Sequence, residues 1–296
     1  MKKILLLIVL PVMTMACGER ASRGQAQHKT DQGNTFPMYS EAVGDTFTVS
    51  VNLPNNYKKE DSAKYPVIYL LDANLYFDIV ATTLNKYSDL GLTPSVILVG
   101  VGYKDFSAMD SLRTRDDTYP TAIPEYEMEL SGGADKFLSF IDNELVPKID
   151  KDYRTDTSKR VLMGHSLGGY FTTYAFLQHL SGKDNRFNSY IAASPSIHYN
   201  NYWMLDQLKA ASDVEGNAKK VNLYITYGGL EDEESESDSS IMKLADLTNQ
   251  LSNLVSIKQS RSVNYKTDIF SNLDHMDTQL PTFIKGLQWA LNEEDK

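Results

Sequence analysis

Five short runs of apolar and aromatic residues constrain the fold more than any other feature of the chain. Residues 67–71, 96–101, 161–163, 190–193 and 221–227 are nearly uninterrupted by polar side chains. A strand with one face in water alternates polar and apolar residues, whereas a strand covered on both faces does not. These runs therefore predict a mostly parallel sheet with helices on both faces. Helix-period patterns separate them, over 76–87, 133–144, 167–180, 202–211, 241–254 and 281–291, the last with Pro281 suited to a first turn. Upstream, 36–42 and 46–53 alternate around Gly44-Asp45 and predict an antiparallel hairpin; 264–270 predicts a final strand. Right-handed strand–helix–strand crossovers give a twisted, doubly wound α/β domain. Two stretches escape the pattern. Residues 102–132 lack periodicity and read as a long functional loop, and 231–238 form an acidic run after a strand.

Composition excludes more than it assigns. The 296 residues hold 29 Lys and Arg against 39 Asp and Glu, a net charge of −10. Such a chain is poorly suited to neutralising phosphates, so no nucleic-acid partner is expected. The single cysteine, Cys17, excludes an intrachain disulfide framework and a multi-cysteine metal site. It follows Met1-Lys2-Lys3, an apolar run over 4–12 and Thr14-Met15-Ala16. That run is shorter than the ~20 residues a membrane-spanning helix needs. The segment resembles a bacterial lipoprotein signal, which implies removal of residues 1–16 and lipidation of Cys17; ordinary signal cleavage near Ala16 is the alternative. The expected layout is a signal over 1–16, a polar tether over 17–35 and one domain over 36–296. The expected location is outside the cytoplasm, anchored on the periplasmic or surface side of a membrane. Oligomeric state is left open.

Gly164-His165-Ser166-Leu167-Gly168 is a Gly-x-Ser-x-Gly sequence between a buried strand and a helix pattern. That context suits a nucleophile elbow, in which the serine sits on a sharp turn and its hydroxyl is exposed at the sheet edge. The amide of Leu167, at the helix N-terminus, is a candidate oxyanion donor. A second donor is expected from Asp72-Ala73-Asn74, with Asn74 the candidate. Of five histidines, His28 lies in the tether, His165 is inside the elbow, and His179 lies thirteen residues beyond Ser166, roughly 20 Å along a helix axis. His198 and His275 follow strands. The order serine, acid, histidine found in α/β-hydrolases selects His275 as base. The acid then falls in Gly228-Gly229-Leu230-Glu231-Asp232, with Glu231 the first candidate and Asp232 the alternative.

These residues, with Pro66 to Asp72, Arg113-Thr114-Arg115-Asp116, Ser194-Pro195-Ser196 and Asp274-His275, resemble the esterase family of α/β-hydrolases over about 36–291. That family includes siderophore trilactone esterases, feruloyl and acetylxylan esterases, S-formylglutathione hydrolases and mycolyltransferases. The resemblance implies an α/β-hydrolase fold and a serine carboxylesterase, with Glu231 matching the acid of the siderophore-esterase branch. A small-molecule or polysaccharide-linked ester is the expected substrate, with neither cofactor nor metal required. Arg113 and Arg115 have two readings. They hold an anionic acyl or catecholate group, or they pin the loop through Arg115 and Asp116 or Asp117. Tyr119 and Tyr126 are candidates to stack on an aromatic acyl group. Acyl transfer on the same residues, and a non-catalytic binding protein on this fold, are the competing functions.

Overall fold

The computed structural model describes residues 33–58, 62–183, 186–211, 220–234, 241–258 and 263–291. The expected signal, Cys17, nearly all of the tether and the end of the acidic run lie outside these residues. The hairpin forms from β1 (Gly33–Ser40) and β2 (Asp45–Asn52), with Ser40 opposite Asp45 and Gly44 at φ +79° in the turn. It starts earlier in the chain than the alternating pattern suggested. Five buried strands follow: β3 (Tyr65–Leu70), β4 (Ile97–Gly102), β5 (Thr155–His165), β6 (Ser189–Ala193) and β7 (Val221–Gly228). The edge strand β8 (Val263–Phe270) completes an eight-stranded sheet of order β1-β2-β4-β3-β5-β6-β7-β8. Pairing is antiparallel between β1 and β2 and between β2 and β4, and parallel elsewhere.

Alternate residues of the same strand enter two different cores, which explains the unbroken apolar runs. Ile68, Leu70, Met163 and Ile191 pack with Tyr76, Val80 and Leu84 of α1 (Ala73–Asp89) and Phe283 and Leu287 of α9 (Gln279–Leu291). Tyr69, Val99, Leu162 and Leu223 face the other way. They meet α3 (Ala134–Phe140), α5 (Leu167–Leu180), α6 (Tyr199–Ala210) and α8 (Leu244–Lys258). Each fully buried Leu, Ile or Phe stabilises the fold by about 1.5–3 kcal/mol through burial alone.

Three local expectations change. Residues 102–132 are not one irregular loop: α2 (Phe106–Asp117) lies within them, with Asp105 Oδ1 accepting from the Ala108 amide at 2.9 Å. A short 3-10 turn, Pro124–Tyr126, follows. The helix expected over 133–144 continues from α3 through a π turn, Ile141–Leu145, into α4 (Val146–Asp152). Pro147 near the start of α4 has no amide hydrogen to give the preceding turn, which accounts for the irregular register there. In α6 the residues Asn200, Asn201 and Tyr202 adopt positive φ, so regular helix begins only beyond them. The acidic run opens as the short helix α7 (Glu231–Glu234).

Candidate active site

The parallel strands β3, β4, β5, β6, β7 and β8 end on one edge of the sheet, and the segments leaving that edge carry the candidate residues. At the end of β5, Ser166 has φ 59° and ψ −117°, a strained conformation of the kind found at functional turns. The turn is held by the Ser166 amide donating to Ala193 O at 3.0 Å, and by Ser166 O accepting from the Tyr170 and Ser196 amides. Gly164 is required here because a Cβ would overlap the Gly168 carbonyl.

Three loops bring Ser166, His275 and Glu231 into one line. Ser166 Oγ lies 3.0 Å from His275 Nε2, and His275 Nδ1 lies 3.0 Å from Glu231 Oε2. A carboxylate only accepts, so Nδ1 carries the imidazole proton and the Nε2 lone pair faces the serine hydroxyl. The second oxygen, Oε1, accepts from the Gly228 amide at 2.6 Å and from Ser194 Oγ at 2.7 Å. Burial pushes the Glu231 carboxyl up, but the bonds from His275, Ser194 and Gly228 outweigh it and hold the group below its ordinary value. The acid and histidine loops also touch through backbone. Leu230 N donates to Leu273 O, and a Cβ on Gly228 would overlap that same carbonyl. Thr278 Oγ1 is 2.7 Å from Ser194 Oγ, extending the network.

Asp232 takes a different position. Its Oδ1 accepts from the Leu244 amide at the start of α8, at 2.9 Å, and its carbonyl accepts from Lys243 Nζ. It lines the cleft but acts as a cap. Leu167 stands at the first position of α5 and also lines the cleft. Asn74 lies in the first turn of α1, where main-chain amides lack partners within the helix. Its side chain turns to Tyr103, donating to Tyr103 O at 3.0 Å and accepting from Tyr103 N at 2.7 Å. The two helix N-termini are adjacent: a Cβ on Gly168 would stand 3.1 Å from Asp72 Oδ2.

The arginines are engaged by carboxylates. Arg115 binds Asp116 through Nε and Nη2 at 2.8 and 3.0 Å and Asp45 through Nη1 at 2.9 Å, outside the cleft lining. This is the pinning arrangement expected with Asp116, with a contact to β2 added; Asp117 instead faces Arg113 at 4.0 Å. Arg113 grips Asp72 through Nε at 3.0 Å and Nη2 at 2.8 Å, and the same Nη2 reaches His165 O at 3.4 Å. It touches the cleft, but this side of its guanidinium fork clamps the turn after β3 to the elbow. Tyr119 is not a cleft residue: it packs on Tyr174 and Trp203 with ring centroids 5.3 and 5.5 Å away. Tyr126 does line the cleft, beside Tyr199, Tyr202 and Met128, in a volume of about 510 Å³. His198 lines the same cleft, while His179 lies near Tyr190. Among the described residues, no group of three or more His, Cys, Asp or Glu is arranged to hold a metal ion. Tyr76, Ser194 and Thr278 were missed as site residues. Only the serine lay in a recognisable motif, and the tyrosine reads in sequence as helix core.

Residues 40–289 match the family described as "Putative esterase". The chain belongs to this esterase family. It is 31% identical, over 93% of its length and 96% of the relative's, to the ferri-bacillibactin esterase BesA of Bacillus subtilis. It is 24% identical to the apo-salmochelin esterase of Escherichia coli, over 83% and 76% of the two chains. The crystal structure of the BES protein from Bacillus cereus superposes with a TM-score of 0.71 at 27% identity, covering 88% of this chain and 94% of that one. The protein is a carboxylic-ester hydrolase of the α/β type, which removes the non-catalytic reading.

Proposed function

We propose that Ser166, His275 and Glu231 hydrolyse esters as a catalytic triad, and that the physiological ester is a siderophore lactone with aromatic acyl arms. The carrying observation is the unbroken line from Ser166 Oγ through His275 to Glu231, each step 3.0 Å. His275 Nε2 takes the hydroxyl proton as Ser166 Oγ attacks the ester carbonyl. The amides of Leu167 and Asn74 receive the developing oxyanion. The imidazolium, stabilised by Glu231, returns its proton to the leaving alkoxide, and the alcohol departs. Water then attacks the acyl-enzyme with His275 again as base, releasing the carboxylic acid and restoring Ser166.

The cleft supports an aromatic acyl group. Its walls are tyrosines, Met128, Ile197 and Met242, and its volume suits one aryl arm of a larger ester. The names of the relatives favour a siderophore over a polysaccharide ester. Arg115, outside the cleft, has no part in binding the acyl group in this reading; Arg113 acts there through Asp72 and not as an anion receptor. The same proposal includes export on a signal over 1–16 and a lipid anchor at Cys17, which would hold the hydrolase on the periplasmic or surface side of a membrane through the polar tether.

The test is a panel of nitrophenyl acetate and butyrate, methyl ferulate, acetylated xylan, and iron-free and ferric trilactone siderophores, with products read by mass spectrometry. Trilactone opening with the highest kcat/KM is expected. A preference for acetylated xylan contradicts the substrate assignment. Products formed only when an acceptor alcohol is added contradict hydrolysis.

A further inference from the structure

His165, in the second position of the elbow, is 2% exposed and has no step in the reaction above. Its ring nevertheless makes two directed contacts. Nε2 lies 2.7 Å from the main-chain oxygen of His275, and Nδ1 lies 3.0 Å from the Tyr76 hydroxyl. A carbonyl oxygen only accepts, so Nε2 carries the proton; Nδ1 then accepts from the Tyr76 O–H. One imidazole thus ties together the elbow, the loop between β8 and α9, and α1. We propose that His165 is a positioning residue for hydrolysis: its Nε2–H holds the His275 carbonyl and so fixes the His275 ring between Ser166 and Glu231. The inference rests on His275 being the base.

The His275 loop needs such a hold. It has no helix or strand of its own between Phe270 and Gln279, and Met276 beside the histidine is 57% exposed. Thr278 Oγ1 is 3.1 Å from the same carbonyl, but it also lies 2.7 Å from Ser194 Oγ and has one proton for both. The Nε2–H of His165 points at the His275 carbonyl at 2.7 Å, while Tyr76 engages the other ring nitrogen. A misplacement of about 1 Å in a reacting group can cost a factor of about 10² in rate.

The donor also stays neutral while His275 gains and loses charge. The two rings are 4.8 Å apart, so a second imidazolium would oppose the one formed in the reaction. Burial, followed by the nearness of His275, lowers the His165 ring to about 4. Asp72, Arg113 and Tyr76 are the other charged or titratable groups facing it. Asp72 raises it and Arg113 lowers it, while Tyr76 is itself pushed up to about 12, first by burial, and remains a donor.

The test compares His165→Phe, His165→Gln and His275→Ala in the full chain with nitrophenyl acetate. Phenylalanine keeps the ring's bulk without an N–H; glutamine keeps an N–H. The expected result is a fall in kcat by about 10- to 100-fold for His165→Phe at nearly unchanged KM, largely rescued in His165→Gln. Wild-type kcat in His165→Phe, or equal losses in both folded variants, overturns the inference, the latter assigning the ring to packing. If His165→Phe does not fold, 15N NMR of the wild-type histidines decides: a neutral Nε2–H ring at pH 6 supports the hold, and an Nδ1–H ring overturns it. An active His275→Ala would instead overturn the triad beneath it.

Discussion

Glu231 and Asp232 are adjacent carboxylates on one short helix, yet their surroundings give them different tasks. Glu231 is fixed by three donors and faces His275; Asp232 faces the first amide of α8. Glu231→Gln is expected to lower kcat by on the order of 10⁴. Asp232→Ala is expected to leave kcat near wild type and cost about 1 kcal/mol of stability, as the loss of a cap does. Steady-state rates and urea midpoints on both variants check this, and the reverse ranking would move the acid to Asp232. His165 gives the fold a pH dependence. Its ring takes up a proton below about 4 when folded but near 6.5 when unfolded. Between those values the unfolded chain binds the extra proton, so stability falls as pH drops through the window, by on the order of 3 kcal/mol from this group. Urea midpoints between pH 7 and pH 4 should therefore decline less steeply in His165→Gln than in the wild type.

At the scale of elements, α2 joins the periphery to the site. Arg113 and Arg115 sit on it, and the first clamps Asp72, at the N-terminal end of α1, against the elbow. Asp72 is 3% exposed, so removing its partner leaves a buried carboxylate unpaired. Arg113→Met is expected to cost on the order of 3 kcal/mol in urea unfolding and to lower kcat, because the turn carrying Asn74 loses its anchor. A variant as stable and as active as the wild type would contradict the clamp. The same helix shows where sequence reading stops. The buried strands were legible because both faces enter cores and their apolar runs are unbroken, and α5 because a long apolar stretch follows the elbow directly. In α2 the buried residues are Met109, Asp116 and Asp117, two of them acids paired with arginines or a tyrosine. Ionic burial leaves no hydrophobic period from which the helix could be read. Ser166 and His275 were legible because motif and chain order restrict them. Ser194, Thr278 and Tyr76 were not, since they are set by contacts between residues 37 to 89 positions apart in the chain.

For the molecule as a whole, one sheet edge gathers the segments that follow six parallel strands, and the rest of the domain is the packing that holds them in register. The described residues that build this edge begin at Gly33. Chain lacking residues 1–31 is expected to keep wild-type kcat on a soluble ester. Full-length chain expressed in a lipoprotein-processing bacterium should take up an alkyne fatty-acid label that Cys17→Ser does not; unlabelled wild type would contradict the anchor. Mapping a fluorophosphonate adduct by peptide mass spectrometry tests whether Ser166 is the nucleophile. Stoichiometric modification of Ser166 is expected, strongly slowed in His275→Ala and absent in Ser166→Ala. An adduct on another residue, or esterase activity that survives complete loss of Ser166, would contradict it.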